Sequence, residues 1–149
     1  GFAWSASGHL VVSEAFGGGA GLGATTSYAL GTAGDLTPKS SSVKTAQSAP
    51  CWVAITGGHA YVTNTGSNTV TSFTVGADGT LTLDQTSGVA ATTSMTPIDV
   101  DASDDGDFLY VLDAGADAIG IYAIGADGAL TRMPDQTGVS ASSVGIVAR

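Results

Sequence analysis

Gly76-Ala-Asp-Gly-Thr-Leu-Thr82 returns 49 residues later as Gly125-Ala-Asp-Gly-Ala-Leu-Thr131, and a looser version, Gly31-Thr-Ala-Gly-Asp-Leu-Thr37, stands 45 residues before it. Self-similarity at a period of about 20–50 residues marks a repeat architecture, in which one small unit stacks on copies of itself. The text before each copy repeats too. It reads Thr26-Ser-Tyr-Ala-Leu-Gly31, Thr71-Ser-Phe-Thr-Val-Gly76 and Gly120-Ile-Tyr-Ala-Ile-Gly125. Further upstream stand Gly8-His-Leu-Val-Val-Ser-Glu-Ala15, His59-Ala-Tyr-Val-Thr-Asn-Thr65 and Phe108-Leu-Tyr-Val-Leu-Asp-Ala114.

Each repeat resolves into four short strands. First strands are predicted over 1–5, 50–55 and 97–102, second strands over 9–15, 59–65 and 108–114, and third strands over 25–30, 69–75 and 118–124. The fourth strands start at Leu36, Leu81 and Leu130. In Thr71-Ser-Phe-Thr-Val75, Phe73 and Val75 share one face and Ser72 and Thr74 the other, as in a half-buried strand. Asp78-Gly79 and Asp127-Gly128 are hairpin signals, because glycine adopts positive φ without a steric cost. Four antiparallel strands per unit predict an all-β fold, a β-propeller fragment of three four-stranded blades. The expected blades are 1–47, 48–93 and 94–141. Residues 142–149 contain Val144-Gly-Ile-Val-Ala148, which resembles Gly1-Phe-Ala-Trp4 and Trp52-Val-Ala-Ile55, and read as one closing strand of a further blade.

Composition agrees. Hydrophobic residues make up 43% and charged residues 11% of the 149, the reverse of a disordered chain. The net charge is −9, with Lys39, Lys44, Arg132 and Arg149 the only basic side chains, so a nucleic-acid or anionic-membrane partner is not expected. An acidic, lysine-poor surface leans towards a secreted or periplasmic setting. A single cysteine, Cys51, precludes an intrachain disulfide. Three blades leave two apolar faces open. The expected partners are therefore further blades, from a second copy or from a missing N-terminal half. The closing strand favours the second source.

Tyr61-Val-Thr-Asn64, followed by Gly66-Ser-Asn-Thr-Val70 and Phe73-Thr-Val75, resembles the signature of the lactonase-like, or YVTN, seven-bladed propellers. Tyr110-Val-Leu-Asp113 and Val11-Val-Ser-Glu14 look like degenerate copies. The resemblance implies a chain spanning a little under half of a family member. It also implies an activity among those of the family, which includes 6-phosphogluconolactonase-like hydrolases and carboxymuconate-lactonizing isomerases. Proteins of no known activity, some at cell surfaces, belong to it as well. A small lactone or sugar is the implied ligand, with no cofactor. The lactonizing enzymes use His, Glu and Arg, and here only Glu14 matches.

Propeller ligands gather where the loops after second strands and the leads into first strands meet. Glu14, the only glutamate, ends the first blade's second strand, where Asn64 and Asp113 stand in the others. A carboxylate there suits a general base acting on water that attacks a lactone carbonyl. All three equally suit polar residues that satisfy backbone at a strand end. The insertion Phe16-Gly-Gly-Gly-Ala-Gly-Leu-Gly23 reads as a lid or as a loose surface loop. Gln47, Trp52 and Asp99 lead into first strands and are further ligand-binding candidates. Trp52 suits stacking on a sugar or packing between blades. His9 and His59 sit at strand starts on the opposite end and read as solvent-facing. Asp101, Ser103 and Asp105 open like a calcium loop, but the acid expected later is Leu112, and an Asp-Gly turn explains the same letters.

Overall fold

The computed structural model describes all 149 residues, Gly1–Arg149. The first sheet is β1 (Phe2–Trp4), β2 (His9–Glu14), β3 (Ala24–Leu30) and β4 (Leu36–Lys44), paired in that order. The second is β5 (Pro50–Thr56), β6 (His59–Asn64), β7 (Thr69–Val75) and β8 (Leu81–Leu83), and β9 (Ala91–Thr92) also pairs with β7. The third is β10 (Pro97–Ala102), β11 (Phe108–Asp113), β12 (Ala118–Ile124) and β13 (Leu130–Arg132), with β14 (Gln136–Thr137) on β12. All pairings are antiparallel. These are propeller blades. Inner strands β1, β5 and β10 lie side by side around one axis.

The outer strands differ from expectation in form. β4 runs unbroken for nine residues with two register shifts, whereas the later blades break theirs into two short pieces. The second difference concerns burial. β6 is buried from Ala60 to Asn64 and β7 from Thr69 to Phe73, so Ser72 is as buried as Phe73. The middle blade is covered on both sides, and over Thr71–Phe73 the alternation therefore separates two buried faces, with only Thr74 of the strand exposed.

Two apolar layers join the blades. Val11 meets Val53, Ala60, Val62, Phe73 and Leu81 between the first and second blades. Ala54, Tyr61 and Val70 meet Val100, Leu109, Val111 and Tyr122 between the second and third. Each interface also carries a matched polar latch. Ser27 Oγ donates to the Gly79 carbonyl (2.6 Å), and the Tyr61 hydroxyl donates to the Gly128 carbonyl (3.0 Å). The His9 ring covers Gly79 and the His59 ring covers Gly128 so closely that a Cβ would fall 2.3 and 2.6 Å from them. The histidines are thus lids on the next blade's hairpin, not free solvent-facing residues, and His59 Nδ1 also lies 3.2 Å from Asp84 Oδ2.

Residues 142–149 form no strand. A strand needs main-chain partners, and here the partners are side chains. Ile146 N–H donates to Asp99 Oδ2 (2.8 Å) and Ala148 N–H to Asp101 Oδ2 (2.9 Å). The rising order of the two contacts runs the tail parallel to β10.

Candidate functional site

The polar residue ending each second strand has a different fate in each blade. Asn64 is fully buried; its Nδ2 donates to the hydroxyls of Thr71 (2.9 Å) and Thr69 (3.1 Å), and Oδ1 has no partner. Asp113 is fully buried as well, accepting from Ser94 N–H (3.1 Å) through Oδ2 with Oδ1 unpartnered. Burial pushes its carboxyl up to about 6, against the pull of Ser94 N–H and the Arg132 charge. Neither side chain offers surface to a ligand.

Glu14 is half-buried and lies on the first blade's open side, since it follows Leu10 and Val12 at a period of two while Val11 faces the second blade. Its two carboxylate oxygens are held separately. The Thr26 hydroxyl donates to Oε1, and the Ser42 hydroxyl donates to Oε2 at 2.7 Å. Ser42 reaches it because β4 bulges there. Ser42 has a left-handed φ of 46°, and its N–H donates to Thr26 Oγ1 (2.8 Å). A bulge beside a carboxylate that re-aims a hydroxyl at it is a feature that spacing alone did not reveal.

The glycine-rich insertion is tied down. Gly23 N–H donates to the Gln47 carbonyl (2.9 Å) and Gly21 N–H to Ser48 Oγ (2.9 Å). Lys44 Nζ sits 4.3 Å over the Phe16 ring. These ties come from the end of β4 and from the connection to β5, and they dock the insertion against that segment. Gln47 is spent in the same connection: Nε2 donates to Ser87 O (2.9 Å) and Oε1 accepts from Thr69 Oγ1 (3.1 Å).

Trp52 remains 45% exposed and lies against the Gly1 backbone. It is therefore partly covered between the first and second blades and partly open. Asp99 accepts from Val100 N–H (2.8 Å) as well as from the tail, and burial raises its carboxyl above the ordinary range. Its carboxylate therefore turns to the third blade's open side, and so does that of Asp101. This breaks up the calcium-like set. Ser103 Oγ donates to Asp105 Oδ1 (2.6 Å) and accepts from Phe108 N–H (3.0 Å), closing the β10–β11 turn while Asp101 holds the tail. No cluster of three or more metal-ligating side chains forms. Arg132 is engaged far out on the blade, 2.7 Å from Asp135 Oδ2 and donating to Thr92 O and Ser94 Oγ.

The two largest crevices lie at the other end of the blades. One, about 320 Å³, is lined by Thr56, His59, Asp105, Asp107 and Gly128; the other, about 270 Å³, by Ser5, Ser7, Thr56, Gly58 and Ala77. Both are built from the same turns one repeat apart, which makes them products of blade stacking.

Three stacked four-stranded blades around an axis define a part of a β-propeller. Residues 7–143 match the family described as lactonase, 7-bladed beta-propeller, and the chain belongs to that family. Its fold is similar to that of a Bacteroides uniformis protein assigned as a 6-phosphogluconolactonase, with 24% identity and a TM-score of 0.75 over 96% of this chain and 44% of that one. A functionally unknown Desulfotomaculum acetoxidans protein is similar at 17% identity and TM-score 0.75, covering 91% of this chain and 41% of its own. The Pseudomonas aeruginosa periplasmic gluconolactonase is similar at 17% identity and TM-score 0.54, covering 95% and 58%. No curated protein matches the chain. The chain thus spans 44% of the first of these structures and 41% of the second.

Proposed function

We propose that this chain supplies part of a lactone-hydrolysing site at the axial end where the β2–β3 loop and the entry to β5 gather. Glu14 acts there as general base on the attacking water, and exposed Trp52 offers a face to a sugar ring. One observation carries the reading. Of three matched strand-end side chains, only Glu14 has every oxygen held by a hydroxyl donor, Thr26 on Oε1 and Ser42 on Oε2, whereas Oδ1 of Asn64 and Oδ1 of Asp113 have no partner. Membership in the lactonase propeller family supports the substrate class.

The second reading is a non-catalytic scaffold that binds ligand or protein. It is favoured by the full burial of Asn64 and Asp113 and by the engagement of Gln47 and Asp99 in internal hydrogen bonds. Proton release during hydrolysis of glucono- and 6-phosphoglucono-lactones by the assembled ring separates the two. Glu14→Gln is expected to lower kcat by roughly 10²–10⁴-fold with KM little changed. Unchanged turnover would remove Glu14 from the mechanism, and an inactive wild-type ring would favour the scaffold.

A further inference from the structure

The connection from β9 to β10 is pinned to both blades that it joins. On the second blade, Thr93 N–H donates to the Asn68 carbonyl (2.9 Å) and Thr96 N–H to Asn68 Oδ1 (2.8 Å). On the third, Ser94 N–H donates to Asp113 Oδ2 (3.1 Å). The turn after β11 returns two more bonds, Ala114 N–H to Thr96 O (3.1 Å) and Gly115 N–H to Met95 O (3.0 Å). Asp113 thus stands where a lead into a first strand and a loop after a second strand are tied together. Segments of these two kinds shape the ligand end of the blades.

Two buried oxygens at this junction have no partner. One is Oδ1 of Asp113, which is fully buried. The other is the hydroxyl of Thr93, 8% exposed, which lies beside that carboxyl but makes no hydrogen bond to it. An unpaired polar atom in such a place costs about 1–3 kcal/mol. The second blade meets the same need with an amide. Asn64 stands at the matched position, and its Nδ2 supplies the hydrogens that the hydroxyls of Thr69 and Thr71 accept. A neutral aspartic acid has the outline of an asparagine, with one O–H where the amide has its NH2. With a proton on Oδ1, Asp113 can donate to the Thr93 hydroxyl while Oδ2 goes on accepting from Ser94 N–H. Ionised, it brings a buried charge to a place with a single N–H on it, and Asp135 faces it as well as Arg132. Tyr122 is the other titratable group on this face. Thr93 and Ser94 carry no charge, and Asp99 turns to the opposite side.

We propose that Asp113 is a proton-operated clasp: a hydrogen on Oδ1, donated to Thr93, holds the 93–96 connection closed, and its release to solvent loosens that connection and the turn after β11. Oδ1 has no exposed surface, so water reaches the ionised oxygen only when the connection lifts away. The clasp is closed in acid and looser at neutral pH. That direction agrees with a folded carboxyl raised from 3.8 to about 6, which holds its proton more tightly than an opened one does.

Amide hydrogen exchange of the chain, read by NMR at about pH 5 and about pH 7 and corrected for intrinsic rates, tests this. The amides of Ser94, Ala114 and Gly115 are expected to lose roughly tenfold in protection between the two, because opening returns the carboxyl from about 6 to 3.8. The matched amides of the preceding connection, Thr65 donating to Ala49 O and Gly66 to Ser48 O, lie beside Asn64 and are expected to keep theirs. Asp113→Asn supplies the donor permanently and is expected to abolish the step. Thr93→Val removes the acceptor at nearly constant shape. It is expected to lower protection at pH 5 by about three- to tenfold and to change little at pH 7. The ¹³C shift of the Asp113 carboxyl follows the proton without any variant and is expected to titrate near 6. Titration in the ordinary carboxylate range overturns the proposal, and so does a step in Asp113→Asn as large as in the parent chain. An equal step at Thr65 and Gly66 also overturns it, since the effect then belongs to the whole fold. Neither readout involves turnover, so the outcome is independent of whether Glu14 is catalytic.

Discussion

Glu14, Asn64 and Asp113 occupy one position in three copies of a blade, and their surroundings give them different chemistry. Asn64 finds two threonine hydroxyls, Thr69 and Thr71, where the third blade has Ala118 and Gly120. Asp113 is therefore a buried carboxyl with one oxygen unpartnered, and its folded value of about 6 exceeds the ordinary 3.8. Between these values the folded chain keeps a proton that the unfolded chain has released. The contribution of Asp113 to stability is thus fully present below about pH 4 and is lost as pH rises to about 6, with Asp99 acting in the same direction and the lowered carboxyls of Asp84 and Asp135 in the opposite one. Asp113→Asn is expected to flatten most of this fall. Solvent screening discounted, it should recover on the order of 1–2 kcal/mol at pH 7. Urea midpoints at pH 4 and pH 6.5 measure it; an equally steep fall in the variant would assign the effect to other groups.

At the scale of elements, the Gly-x-x-Gly hairpin joining third and fourth strands is the unit that locks one blade to the next. Its glycine serves two needs, a left-handed turn and room for the neighbour's ring. The two needs can be separated. Gly8 has φ +79° with open space around it, whereas a Cβ at Gly128 (φ +77°) would lie 2.6 Å from the His59 ring. Gly8→Ala is expected to cost about 1 kcal/mol for backbone conformation alone. Gly128→Ala should cost on the order of 1–3 kcal/mol more, because the ring is held by Asp84 and the next strand cannot retreat without opening the core. Equal losses in thermal or urea unfolding would show that the hairpin carries no packing constraint. The hairpin signals were legible in Asp78-Gly79 and Asp127-Gly128. Their role between blades was not, because it depends on residues about 70 positions away, His9 to Gly79 and His59 to Gly128.

Across the whole molecule, stability is lodged in the blade interfaces. Tyr61 and Tyr122 lie in the same interfacial layer, and burial raises both phenols to about 12. Their ionisation is expected to accompany unfolding: stability holds below pH 10 and falls as pH rises towards 12. Absorbance of their phenolates should appear together with loss of β-structure in circular dichroism. Phenolate signals from both while the sheets remain intact would contradict the packing of this layer. Strand order, blade number and the two hairpin turns were readable in the sequence by itself, because they follow from local periodicity and from glycine at positive φ. Only the tertiary structure decided that Asn64 and Asp113 are sealed and that Ser42 is aimed at Glu14. It also decided that Asp99 and Asp101 serve the tail. Those outcomes depend on which side chains meet across neighbouring sheets, and chain spacing alone does not encode such meetings.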